Sequence, residues 1–573
     1  MTARLRAVAI LTAALLALTG CTGFQKSGEV TVGLEVGEIP PVPFSFTPSG
    51  PQAGAEPREI VQGFLAAAIA PDGGWSAAKE FLSDEFANDW DPSAGTVVDT
   101  ASRRTVIEPE VVPTPTASVV PEAASLTTVS LTVTTIATVD ASGVYRVSES
   151  SEMQMDFELQ TQPDGQWRIT SAPDGVLLDR FSFENVFDDY DLAFYDPTWT
   201  FLVPDTRWYP HVTAVRDIVN GLVEGPAPWL AGAVSTAVPE GARALASIPI
   251  DNNVASITLA GTDSLEVDAI GRLKLQLTRS LSGTAVREVV LSSPTRELTA
   301  PIATVTPTTV PTRALVGTEA GFGYFTSDGL DPLDDLDEAA LGFPVVAWEM
   351  SEAAGHGVAL SRSGEVVRLN GDSPDSVTVD VRPGLIEPTL GPFGDIWTVP
   401  ADTPGALTIT MQGGEATQLP GTMAELTKIS HMQLSRDGTR LAVVGLAGSQ
   451  AEVIVYSVLR GADGTVLSLG KGNRIRDLRS ADVKSLSWVD DTSIGLVVAN
   501  ETDSTVIVQP LSGPAVSSRA VADVVDIAGS SDPGAIWIRT SDGKLYSSRG
   551  TTWALAGSDI LVLARQQGAA VAH

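Results

Sequence analysis

The chain has 573 residues, 70 of them Asp or Glu and 36 Lys or Arg, for a formal net charge of −34. Its length predicts several domains, and 43% hydrophobic against 18% charged residues excludes a wholly disordered chain. The acidity excludes nucleic acid as the main partner, because phosphate binding needs clustered cations; a lone cysteine excludes a disulfide framework and a cysteine-based zinc site.

Arg4 and Arg6 precede a largely apolar run from Ala7 to Leu18. As a helix that run is about 18 Å long, short of the roughly 30 Å hydrocarbon core, so residues 1–20 read as a cleaved export signal and not a membrane span. Thr19 and Gly20 stand directly before Cys21 and resemble a bacterial lipobox. The resemblance implies a lipidated Cys21 (S-diacylglycerol and N-palmitoyl) at the new N-terminus; the alternative is an ordinary signal with an incidental cysteine, or a buried free cysteine. Two acyl chains make a stable anchor. The body, more acidic still after Arg4 and Arg6 are lost, is repelled by anionic headgroups. Residues 21–57 carry Pro40, Pro41, Pro43, Pro48, Pro51 and Pro57 among glycines and read as a tether, with room for one short strand at Val30 to Ile39.

From residue 58 to 180 the pattern predicts an α+β domain. Ile60, Val61, Phe64, Leu65, Ala68 and Ile69 lie on one helical face, stopped by Ala70 to Gly74. Phe81, Leu82 and Phe86 suggest a second helix ending near Trp90, with Asp84, Glu85, Asp89 and Asp91 on its solvated side. The period then changes to two: Val129, Leu131 and Val133, then Met153, Met155, Phe157 and Leu159, then Trp167 and Ile169, with turns at Gly143 and Gly165. Helices followed by a curved sheet resemble the NTF2-like fold.

Residues 194–301 predict a second α+β domain. Trp199 to Val203 reads as a strand, Val212 to Val223 as a helix closed by Gly225-Pro226, Leu245 to Ile250 and Ala255 to Leu259 as strands joined by Asp251-Asn252-Asn253, Ala269 to Leu281 as a helix, and Val286 to Ser292 as a last strand. The order is the ferredoxin-like βαββαβ plan. With VNGLVEGPAPWL and VREVVLS, this stretch resembles the GerMN domain, a binding module of sporulation and germination lipoproteins.

Residues 313–573 predict an all-β propeller. Apolar strands start at Phe322, Val358, Ile396, Leu441, Ile494 and Ile536, a recurrence of about 40 residues that matches a four-stranded blade. Six recurrences give about six blades, and Ile560 to Gln566 is placed to close the ring.

No residue set carries an evident reaction. His211, His356, His431 and His573 are far apart; His356 and His431 fall in the repeat, where an ordinary strand or loop histidine outweighs an axial ligand. The acids Asp331, Asp334, Asp335, Asp337 and Glu338 lack the glycine-centred spacing of a calcium loop and read as a solvated face. Gly438 and Gly543 read as turn formers. No catalytic, metal or cofactor-binding residue is assigned, and no cofactor is expected.

Lipobox, tether, PREIVQGFLAAAI and AAKEFLSDEFANDWDP opening, GerMN-like centre and C-terminal propeller, in that order, resemble the actinobacterial LpqB lipoprotein family over the mature chain. The resemblance implies a non-enzymatic extracytoplasmic lipoprotein, anchored to the cell membrane, that interacts with the sensor kinase MtrB of the MtrAB two-component system in cell-envelope homeostasis. Two rivals stand beside it. One is a glycan- or peptide-binding scaffold using Trp348, Trp397, Trp488, Trp537 and Trp553; the other is an extracellular propeller hydrolase.

Overall fold

The computed structural model describes residues 48–107, 125–245, 247–333, 344–351, 355–370, 373–411, 414–478, 482–500 and 502–568. Cys21, the possible strand at Val30 to Ile39 and His573 lie outside these residues.

Helix α1 (Pro57–Ala67) begins where Pro57 presets the backbone and Glu56 and Glu59 form a reciprocal capping box, with Glu59 Oε2 accepting from the Glu56 amide at 2.9 Å. It buries Ile60, Val61, Phe64 and Ala67. The chain is already seated before that helix: the Gly54 amide donates to Gln166 at 2.7 Å, so the predicted tether is folded against the domain at its C-terminal end. Helix α2 (Asp72–Lys79) is kinked at Gly73, Gly74 and Trp75, all in the left-handed region. Phe81 and Leu82, expected in a helix, instead form the turn that leaves α2 and an isolated bridge to Ile169. Phe81 O accepts from Ile169 N and Ser83 N donates to Ile169 O, because edge-strand carbonyls and amides were available to pair. Phe81 also fills the space over Gly63, where a Cβ would stand 2.3 Å from the ring. Helix α3 (Phe86–Asp89) follows, with Asp84, Glu85, Asp89 and Asp91 exposed as expected.

The sheet of this unit contains β1 (Gly95–Asp99), β2 (Thr105–Ile107), β3 (Leu126–Asp140), β4 (Tyr145–Thr161), β5 (Trp167–Ser171) and β6 (Val176–Asp179), in the order β5-β4-β3-β1-β6 with β2 also on β3. The alternation of Val129, Leu131 and Val133 buries one face against α1, as periodicity required. β1 and β6, short and without clear alternation, pair in parallel and were not visible in the sequence.

Helix α4 (Arg180–Val186) leads into β7 (Phe187–Tyr195), which pairs antiparallel with β8 (Leu202–Pro210) along its whole length. Trp199 to Phe201, expected at the start of a strand, instead form a turn wound around the buried carboxylate of Asp196, which accepts from the amides of Thr198, Thr200 and Phe201 at 2.9, 2.7 and 2.6 Å. These three local bonds outcompete a ladder there. Helix α5 (Ala214–Glu224) ends at Gly225 as predicted. The expected strand Leu245 to Ile250 is broken: only β9 (Arg243–Ala244) and β10 (Ile250–Asp251) pair, on either end of β11 (Val254–Ala260), because Pro249 has no amide to give a ladder. Asn252 and Asn253, both left-handed, make the two-residue hairpin turn between β10 and β11. After α6 (Val267–Ser280), β12 (Glu288–Ser292) lies parallel beside β11. The elements therefore come in the predicted order, but their pairing departs from a ferredoxin-like sheet: β8 pairs with the unforeseen β7, and β11-α6-β12 is a parallel crossover.

Six further sheets form the propeller. Its inner strands are Val562–Leu563, Val345–Ser351, Thr389–Leu390, Lys428–Leu434, Asp482–Trp488 and Val524–Ala528, each in contact with the next, and the last returns to the first. The closing segment is C-terminal, as expected. Val562–Leu563 pairs with Leu315–Thr318 of the first blade, and Arg565–Gln566 runs on beside Val345–Ser351 of the second. Because the C-terminus supplies the first blade's inner strand, Phe322 to Phe325 is the third strand of its blade, not the second.

Candidate functional site

An enclosed polar cluster lies where the three folded units meet, around the β7–β8 hairpin. Gly143, at φ 83°, turns β3 into β4 and brings its carbonyl to the Trp208 amide at 2.8 Å; a side chain there would strike the Tyr209 ring and the Trp208 carbonyl. Trp208 packs against Tyr145 and Phe183, with ring centroids 5.5 and 5.1 Å away, and donates its indole N–H to Ser512 O of the fifth blade at 2.9 Å. Ser512 Oγ in turn accepts from the Tyr145 amide at 3.3 Å. One tryptophan and one serine thus tie all three units together.

Beneath this contact, Arg207 and Asp205 form a buried ion pair at 2.7 Å. Arg207 also donates to Ser142 O at 2.6 Å, and Asp205 accepts from the Ala227 amide at 2.7 Å. Burial works against the Arg207 charge, but the Asp205 hydrogen bond and charge outweigh it and hold the pKa above its ordinary value. A cleft of about 570 Å³ opens above, lined by Tyr145, Arg146, Trp229, Lys471, Arg474 and Gln509 among others. Its lining mixes apolar and polar side chains, as interaction surfaces do.

The propeller axis is the second concentration of charge. Arg565, carried in by the C-terminal strand, pairs with Glu387 at 2.5 Å; Gln567 donates to Glu349 Oε1 at 2.7 Å and to Leu434 O at 3.1 Å; Thr389 donates to Glu349 Oε1 at 3.1 Å. Asp526 and Arg539 pair nearby at 2.6 Å. Burial pushes Glu349 up to about 7, partly opposed by the Gln567 hydrogen bond and the Arg565 charge. His431 belongs to this surrounding: its Nε2 lies 3.0 Å from Lys484 O, and burial lowers its pKa while Glu387 opposes the shift. Of these axial residues only His431 was singled out in the sequence; the others were not found, because single charged residues spaced a blade apart leave no local pattern.

The remaining sequence candidates do not converge. His211 Nδ1 lies 2.9 Å from Val186 O. Asp331 pairs with Arg313 at 2.6 Å, whereas Asp334, Asp335, Asp337 and Glu338 lie outside the described residues. Gly438 and Gly543 are left-handed turn residues, as expected. Trp348, Trp397 and Trp488 are buried in the blades, which removes three of the five rings considered for sugar stacking. Among the described residues no group of three His, Cys, Asp or Glu is arranged to hold a metal ion.

Comparison with known proteins matches three family models in succession: "Lipoprotein LpqB, N-terminal domain" at residues 50–184, "Sporulation and spore germination" at 191–293, and "Lipoprotein LpqB beta-propeller domain" at 345–559. The chain is similar to Lipoprotein LpqB of Bifidobacterium longum, 24% identical over 550 residues and 91% of each chain. It is 27% identical to the protein of the same name in Cutibacterium acnes over 49% of this chain and 42% of the relative. The Nocardia farcinica protein is 30% identical over 38% of this chain and 34% of the relative. The stretches matched in the latter two span less than half of those relatives' length.

Proposed function

This chain belongs to the LpqB lipoprotein family, and on that premise we propose that it is a lipid-anchored accessory protein on the outer face of the cell membrane. In this reading it binds the external domain of a sensor kinase, MtrB by the family resemblance, and biases its output in cell-envelope homeostasis. The observation that carries the reading is the matched succession of N-terminal, GerMN-like and propeller domains behind a lipobox-like Cys21.

Anchoring through Cys21 confines both partners to one surface and raises their effective concentration, so weak contacts suffice. A change in signalling requires different affinity for the kinase's two states. The propeller and the junction cleft supply broad surface for that contact. The reading gives the chain no reaction and no cofactor. In-cell photo-crosslinking from positions around the junction cleft, followed by identification of the captured neighbours, tests it. Recovery of the kinase's external domain is expected. Its absence from every position, together with unchanged kinase output on deletion of the whole protein, overturns the reading.

A further inference from the structure

Arg272, in the second turn of α6, is half-buried in a chain with nearly two acids per base, yet its guanidinium makes no ion pair or side-chain hydrogen bond among the described residues. Its guanidinium carbon lies over the Trp199 ring, 4.5 Å from its centroid. Asp268, one helical turn earlier and exposed, does not pair with it. Trp199 is held at φ 63°, a conformation costly for a bulky residue, by the turn wound around Asp196. Tyr195 backs the indole at 4.9 Å and donates its hydroxyl to the Arg272 carbonyl at 2.8 Å. The fold thus fixes both the ring and the helix turn that carries the cation.

These residues line a cleft of about 390 Å³ completed by Val267, Pro301 and Ile302. Val267 and Ile302 are 57% and 49% exposed. A guanidinium stacked on an aromatic face keeps its in-plane N–H edge free, and that edge matches the two oxygens of a carboxylate. Asp268 beside it disfavours a second negative charge, so a monoanion fits better than a phosphate monoester. The apolar rim asks for a small hydrophobic group next to that anion.

We propose that this cleft captures the free C-terminal carboxylate of a short apolar peptide, with Arg272 gripping the carboxylate, Trp199 holding Arg272 in place, and Val267, Pro301 and Ile302 covering the last side chain. The inference stands on this cleft alone and is independent of the kinase reading.

The test is fluorescence anisotropy on the purified full chain with dye-labelled Gly-Ala-Val, as the free acid and as the C-terminal amide. The acid should bind at least ten-fold tighter than the amide. Arg272→Gln should bring the acid down to the level of the amide with an unchanged melting temperature, and Arg272→Lys should fall between. Trp199→Gly, which relieves the backbone strain, should nonetheless weaken the acid. Equal binding of acid and amide, an unaffected Arg272→Gln variant, or no saturable binding of the acid overturns the proposal. So does Arg272-dependent binding of phosphatidylglycerol vesicles without peptide binding, which would make a lipid phosphate the ligand.

Discussion

Among the described residues, Asp205 supplies the only carboxylate bonded to the buried Arg207 guanidinium, and the pair sits where three units converge. Asp205→Ala leaves an uncompensated charge there, and a loss of about 3–5 kcal/mol in chemical denaturation is expected. Replacing both by apolar residues of similar volume should cost much less, because the isolated charge is then gone. Glu349 offers a pH test. Its folded pKa, about 7, lies above the ordinary carboxyl value of 4.5, so the fold binds its proton more tightly than the unfolded chain does. The stability it contributes is full below about 4.5 and is lost as pH rises through 7, on the order of 3 kcal/mol at about 1.4 kcal/mol per unit. Denaturation of the native chain and of Glu349→Gln at pH 5 and pH 8 should show this decline in the first and a flatter profile in the second. At the other end of the chain, Cys21→Ser should move the protein from the membrane fraction to the soluble extracellular fraction; retention in the membrane would remove the anchor from the proposed function.

At the scale of elements, the C-terminal strand does more than complete a ladder. Val562–Leu563 pairs with the first blade, Arg565–Gln566 with the second, and Gln567 reaches Leu434 in the fourth. Truncation before Ile560 should therefore open the ring, leave Glu387 and Glu349 without their counter-charge, and lower and broaden the thermal transition measured by calorimetry. The elements also mark where local sequence was a sufficient guide. β3 and β4 were legible because one face is buried and the other solvated, which writes an alternation. The helices α1, α5 and α6 were legible because each buries a single stripe. Phe81 and Leu82 misled because two adjacent apolar residues fit a helix or an extended bridge equally well, and the partner that decided between them, Ile169, lies far along the chain. β7 was missed since Asp188, Asp189 and Asp191 crowd its first half and blur the alternation, and its full-length pairing with β8 leaves no local trace.

At the scale of the whole molecule, the Ser512–Trp208–Tyr145 contact couples the propeller to the two units before it. Trp208→Ala removes a buried ring at that point and should cost about 3–5 kcal/mol; the transition followed by near-ultraviolet circular dichroism should also separate into more than one step as the units uncouple.

By itself, the sequence determined the order of the α+β units and the propeller and that strands recur six times, since each of these is written in residues close together along the chain. Tertiary structure alone decided which strands pair, that Arg565 and Glu387 meet on the axis, and that Arg272 stacks on Trp199. Those are encounters between residues tens to hundreds of positions apart, and local periodicity carries no information about which distant surface a buried charge or a strained ring will meet.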